Sequence, residues 1–408
     1  MLIITICGIV GGRIALNRWF NHLTAYSAIW GSILILVQSR LIAYSPVSGM
    51  GWLYIFSAWL CLFLGSFTAL GIRGRVARQQ SVNGQSLKRL RFIIWSFTLI
   101  GLIGIILQAV AVVHEFGNLA AAIVVQANDL YHARLDNPEL GGASYVGAFC
   151  PAACTFAGMY AARVGKFGIT PLMPLFVVVF SGILVMGRAG MVVAGIWFTS
   201  AFLLTPRPPI KVHRWQVAVA VVLSGAVLVG GFVLINATRG LGLDFPGLSP
   251  AMERASDTLP VLPSLFFYYT GPVVGFSDYL AHPDRNPHAF WGMYTFAPLL
   301  RFAARLGADT SVPPYEESYF TPRDINIMTY LKNIHSDFGG TGVLLFPYML
   351  GAVMTWLRLR LDEKFDPVYV VLLAHAYVVI MFSFAYNPMS QGVWYISLIL
   401  GVAACYWL

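Results

Sequence analysis

The chain has 408 residues, of which 58% are hydrophobic and 11% charged, with a mean hydropathy of +0.72. A soluble domain carries about 25% charged residues, so a water-soluble globular fold is excluded. The formal net charge of +9 does not point to nucleic acid, because the Lys and Arg residues collect in short loops between apolar runs, the pattern that orients membrane proteins.

A bilayer core needs about 20 mostly apolar residues per helix. Eleven stretches approach that length: 1–17, 23–43, 51–72, 92–113, 144–165, 169–186, 189–205, 215–235, 340–357, 367–386 and 391–408. The first resembles a secretory signal in hydropathy, but no A-x-A-like site follows it, and Arg13 and Arg18 come after the apolar run, so a retained helix is expected. The basic groups Arg73–Arg75–Arg78–Lys88–Arg89–Arg91, Arg207–Lys211–Arg214 and Arg358–Arg360–Lys364 mark cytoplasmic loops. Alternation then puts the N-terminus and residues 114–143 and 236–339 outside. The expected fold is an all-α polytopic membrane protein of about eleven transmembrane helices, with helices 1–8 in residues 1–235, a large, partly helical extracytoplasmic loop in 236–339, and helices 9–11 in 340–408. Cys7, Cys61 and Cys405 fall within spans. Cys150 and Cys154 stand one helical turn apart, a spacing poor for a disulfide and too sparse for a metal site.

Along the chain, Gly187-Arg188-Ala189-Gly190 forms a tight turn between two short spans, where an arginine facing lipid is expensive and small neighbours admit a ligand. Arg40 reads as a snorkelling residue near a span end. The long loop mixes carboxylates (Glu253, Glu316, Glu317, Asp337), arginines (Arg239, Arg254, Arg323) and aromatics (Tyr268, Tyr269, Trp291, Tyr294), which suits a folded cap. Ser249-Pro250 predicts a helix N-terminus, and Thr321-Pro322-Arg323-Asp324 a capping box opening a second helix, broken by the glycines after His335-Ser336-Asp337-Phe338. The apolar cluster 262–269 is expected in the membrane interface. His282 and His288 read as loop histidines and His375 as a packing histidine within a span. No P-loop, GxSxG or HExxH motif is present.

The many spans, the Gly187–Gly190 turn, the loop entered through Asn236-Ala237-Thr238-Arg239-Gly240, and the exit Asn326-Ile327-Met328-Thr329-Tyr330 followed by Asp337-Phe338-Gly339 and Gly342 resemble the Wzy-type O-antigen and oligosaccharide repeat-unit polymerases. The resemblance implies a GT-C-like glycosyltransferase, related to O-antigen ligases, in a bacterial inner membrane. It implies an active site facing the periplasm and an undecaprenyl-diphosphate-linked oligosaccharide as donor. Neither metal nor other cofactor is expected. Membrane lipid and a chain-length regulator of the Wzz type are the expected partners.

The chemistry asks for groups of three kinds. Guanidinium forks stabilise the leaving diphosphate, a role for Arg188, Arg239, Arg254 and Arg323. A base near neutrality deprotonates the acceptor hydroxyl, a role for His335 beside Asp337, with Glu316 or Glu317 as alternatives. Aromatic faces such as Tyr269 and Tyr294 stack on sugars. Two readings stay open beside the polymerase: an O-antigen ligase transferring glycan to lipid A core, and a flippase or secondary transporter.

Overall fold

A computed structural model describes residues 1–73, 87–136, 145–184, 187, 189–206, 245–282, 292–308, 319–320, 324–325 and 327–408. The described residues are dominated by helices. They run α1 (Leu2–Leu16), α2 (His22–Gln38), α3 (Gly49–Arg73), α4 (Leu87–Phe116), α5 (Leu119–Val124), α6 (Ala127–Asp136), α7 (Phe149–Val164), α8 (Ile169–Leu184) and α9 (Ala189–Leu204). After the gap in description come α10 (Pro250–Thr258), α11 (Leu262–Ala281), α12 (Ala297–Arg305), the two-residue strands β1 (Tyr319–Phe320) and β2 (Asp324–Ile325), α13 (Tyr330–Glu363), α14 (Pro367–Phe382) and α15 (Gly392–Cys405).

Each expected apolar stretch contains a helix except 215–235, which lies outside the described residues. Among the described residues, three helices are long and apolar enough to cross a bilayer: Gly49–Ile72, Leu87–Phe116 and Tyr330–Glu363. The shorter apolar helices have 10–17 residues. At 1.5 Å per residue, even the longest of these spans about 25 Å, less than the roughly 30 Å hydrocarbon core. The apolar faces nevertheless point outward: Leu99, Ile103, Leu107 and Val110 on α4 are each at least 55% exposed and recur at helical spacing along one side. A helical protein presenting such apolar faces is membrane-embedded.

Two compact units are distinguishable. One comprises residues 1–76, 242–359 and 379–392 and the other 77–241, 360–378 and 393–408. In the first, α2 is held by two buried polar ties, Trp30 Nε1 donating to Ser383 Oγ at 2.8 Å and the Tyr26 and Tyr330 hydroxyls meeting at 3.2 Å, while the Tyr330 amide donates to the Ser383 carbonyl at 2.9 Å. In the second, α7 packs its backbone directly on α9. A Cβ at Gly158 would lie 2.2 Å from the Phe198 carbonyl oxygen, so only glycine permits that approach.

The cap elements correct two expectations. Ser249 does cap α10, accepting from the Met252 amide at 3.2 Å with Pro250 in the first turn. The second expected helix does not begin at its capping box. Residues 321–323 lie outside the described residues, Asp324–Ile325 pair antiparallel with Tyr319–Phe320, and the next helix starts at Tyr330. The physical reason is tertiary: Ile325 is 5% exposed against Gly271 and Gly275 of α11, where a Cβ at Gly271 would meet its Cδ1 at 2.7 Å. Burying a β-branched side chain in that notch outweighs a local capping preference. The apolar cluster 262–269 opens α11, whose Phe266 and Phe267 are buried, with only part of its surface facing outward.

Helix α13 is two helices joined at Gly339, whose φ of 61° and ψ of −161° are a conformation essentially reserved for glycine. The expected break by the glycines is therefore present. Before it lie Lys332, His335 and Asp337; after it residues 340–357 carry no charged side chain. The kink thus separates a polar segment from the apolar span.

Candidate functional site

The polar segment at the head of α13 gathers a cluster of chemically capable side chains. Helical geometry sorts it into faces. Residues three and four apart share a side, whereas residues two apart do not, so His335 and Asp337 diverge and find different partners.

Asp337 is 8% exposed and faces the turn before α12. Its Oδ1 accepts from the Tyr294 amide at 2.9 Å and its Oδ2 from the Thr295 amide at 2.6 Å. A carboxylate holding two backbone amides acts as a clasp and fixes the turn 292–296 onto α13. That turn presents Tyr294 to Lys332, whose Nζ lies 4.4 Å from the Tyr294 ring centroid and 5.9 Å from that of Tyr279. With Lys332 only 3% exposed, the two aromatic faces stabilise the desolvated ammonium.

His335 lies half-buried on the other side, between Tyr279 of α11 and Tyr54 of α3. Its ring centroid is 5.6 Å from that of Tyr279, edge to face, and 5.3 Å from that of Tyr54. The Tyr279 hydroxyl is 3.0 Å from His335 Nδ1 and 2.9 Å from Ser336 Oγ. Burial pushes the Tyr279 phenol above its ordinary pKa, so it keeps its single proton at neutral pH. When Tyr279 donates that proton to Ser336, His335 Nδ1–H donates to the phenol oxygen and Nε2 carries the lone pair of a base. Glycine matters here too: a Cβ at Gly340 would lie 2.7 Å from the Tyr54 hydroxyl, so a small residue lets this tyrosine close over the kink.

The structure therefore brings together His335, Asp337 and Tyr294 from the residues singled out in the sequence. Arg254 is not in the cluster; it is exposed on α10, where its Nε donates to the Pro250 carbonyl at 3.2 Å. Tyr269 lies elsewhere on α11, 48% exposed and stacked on Phe384 with centroids 5.3 Å apart. Arg188, Arg239, Arg323, Glu316 and Glu317 lie outside the described residues. Lys332, Tyr279, Ser336 and Tyr54 were not anticipated. Only Lys332 had a usable signal: a lysine four residues before Ser336, one turn along a helix that ends at a glycine break.

The fold and this cluster define an α-helical, membrane-embedded protein with a titratable site at the polar head of an apolar helix. Comparison with protein-family models, with curated proteins and with solved structures finds no match for this chain.

Proposed function

We propose that the chain is a polysaccharide polymerase of the Wzy type. It joins undecaprenyl-diphosphate-linked oligosaccharide repeat units by glycosyl transfer on the periplasmic face of a bacterial inner membrane. The observation that carries this reading is His335, half-buried, oriented through Nδ1 by Tyr279 and placed at the polar end of an apolar span, where a lipid-linked sugar would present its hydroxyl. In this reading the chain makes eleven crossings in a GT-C-like arrangement, and a Wzz-type regulator sets chain length.

In the reaction, the acceptor hydroxyl oxygen attacks the anomeric carbon of the donor. Its proton passes to His335 Nε2, and the bond from the anomeric carbon to the diphosphate oxygen breaks with its electron pair leaving on the diphosphate. Arg188, Arg239 and Arg323 are the proposed anion partners. Lys332 packs on the Tyr294 and Tyr279 rings of the same cluster, and Asp337 holds the turn that carries Tyr294 in place. Arg254 stands apart from the base on a separate helix, which suits a peripheral contact with the carrier better than one at the reacting carbon.

One observation favours a second reading, a lipid-linked glycan transporter. His375 is 1% exposed within α14 and its Nε2 has no hydrogen-bond partner, and buried ionisable groups in spans mark transport pathways. Deleting the gene and resolving lipopolysaccharide on a gel separates the readings. Core carrying a single repeat is the expected product of a lost polymerase; core alone would instead identify a transporter or a ligase.

A further inference from the structure

Helix α12 divides its surface three ways. Ala297 is buried against the first unit. Arg301 and Arg305, one turn apart, form a basic edge. Leu299, Phe302 and Leu306, at spacings of three and four, form an apolar stripe that is 47%, 60% and 75% exposed. Two large apolar side chains on a nine-residue helix and a third at its C-cap are seldom left to water, least of all beside a cluster otherwise well packed.

The position of α12 says what covers them. Three ties hold its N-terminal end at the polar head of an apolar span. The preceding turn is clasped by Asp337 through the Tyr294 and Thr295 amides. Phe296 meets Phe338 edge to face at 6.4 Å, one residue before the Gly339 kink. Pro298 lies beside Gly392, where an added Cβ would stand 3.9 Å from its own. The kink is where charged residues give way to residues 340–357, so it marks the depth at which water gives way to lipid. A helix tethered there, with an apolar stripe adjoining a basic edge and no acidic residue in its first turn, has the pattern of an interfacial membrane helix.

We propose that α12 lies in the membrane interface, with Leu299, Phe302 and Leu306 in the acyl–headgroup boundary and Arg301 and Arg305 at the level of the lipid phosphates. The occupant of the stripe is the bilayer, not a soluble protein or a second copy. Since Asp337 clasps the turn leading into α12, seating this helix on lipid also fixes the height of Tyr294 and Lys332 above the bilayer.

The test uses the full chain in vesicles of equal parts phosphatidylcholine and phosphatidylglycerol. Nitroxides are attached at Phe302→Cys and Leu306→Cys, with the native cysteines replaced. Oxygen should relax them more strongly than a water-soluble nickel complex, at a depth of about 5–10 Å below the phosphates. Replacing Arg301 and Arg305 by Gln should move both probes toward water. Nickel-accessible probes would overturn the proposal, as would probes shielded from both relaxants, because the first means solvent and the second a protein partner. An unchanged depth in the double Gln variant would remove the arginines from it. Wild-type protein in the same vesicles, with photoreactive diazirines near the acyl carbonyls, checks the result without any substitution. Adducts should map to residues 299–306, and their absence counts against the interface position.

Discussion

His335 and His375 are the same residue type placed in opposite circumstances. His335 is half-buried, and its Nδ1 partner is a side chain from another helix, Tyr279, which in turn bonds Ser336. His375 is 1% exposed, and its Nδ1 donates at 2.8 Å to the Val371 carbonyl of its own helix. Trp197 and Trp394 wall it in, with ring centroids 4.8 and 5.7 Å away. The Val371 bond puts a proton on Nδ1 and leaves Nε2 without a hydrogen-bond partner among the described residues. A bond across helices orients a ring toward a site, whereas a bond within one turn of its own helix ties a ring into the packing. Under the polymerase reading proposed above, His335 is the residue placed to act and His375 is held in the packing.

The largest expected effect separates these two. His335→Gln keeps a polar group near Tyr279 but cannot take a proton at neutral pH. On the proposed polymerase reading, polymer formation by purified protein should fall by about 10²-fold or more at unchanged abundance, the ordinary contribution of a general base. His375→Gln should leave turnover within a few-fold. If the two results are exchanged, the comparison inverts and the essential histidine is His375, not His335.

A smaller effect concerns the clasp. Asp337→Asn keeps one acceptor oxygen but turns an amide NH₂ toward a backbone N–H that now lacks a partner. The loss should be about 1–3 kcal/mol, the cost of an unsatisfied buried donor, read as a lower melting temperature in detergent. Stability unchanged by the substitution would mean that the Tyr294–Thr295 turn is held by something other than this carboxylate.

These cases show where the sequence was legible. Apolar runs of about 20 residues carry their own signal, because burial in lipid depends on composition more than on partners; the helices duly appear, with ends displaced by several residues. The glycine break after Asp337 was readable since it is a local backbone property. The capping box at Thr321 misled because Ile325 answers to a notch on α11 more than fifty residues earlier, which no local pattern encodes. His335 and Asp337 stand two apart on their helix and take different partners; the Tyr279 hydroxyl that meets His335 Nδ1 is 56 positions away, which no local pattern encodes. Lys332 was passed over because a lysine reads as solvent-facing until two aromatic rings are seen to enclose it.

The smallest effect should have the opposite sign. Thr155, in α7, is 1% exposed and its Oγ1 has no hydrogen-bond partner among the described residues. Burying a hydroxyl without a partner costs about 1–3 kcal/mol by protein mutational data, so this position resembles His375 in carrying an unsatisfied polar atom. Valine matches threonine in shape and replaces the hydroxyl with a methyl group. In the tightly packed α7, where Gly158 already admits the α9 backbone, a shape-preserving change should cause no repacking. Thr155→Val should therefore leave polymer formation unchanged and raise stability by up to about 1 kcal/mol, seen as a higher melting temperature in detergent. A lower melting temperature would show that the hydroxyl is satisfied in the working protein, by water or by a bound molecule. The unpaired polar atoms of this unit would then be read as part of a site, and not as a tolerated cost of packing.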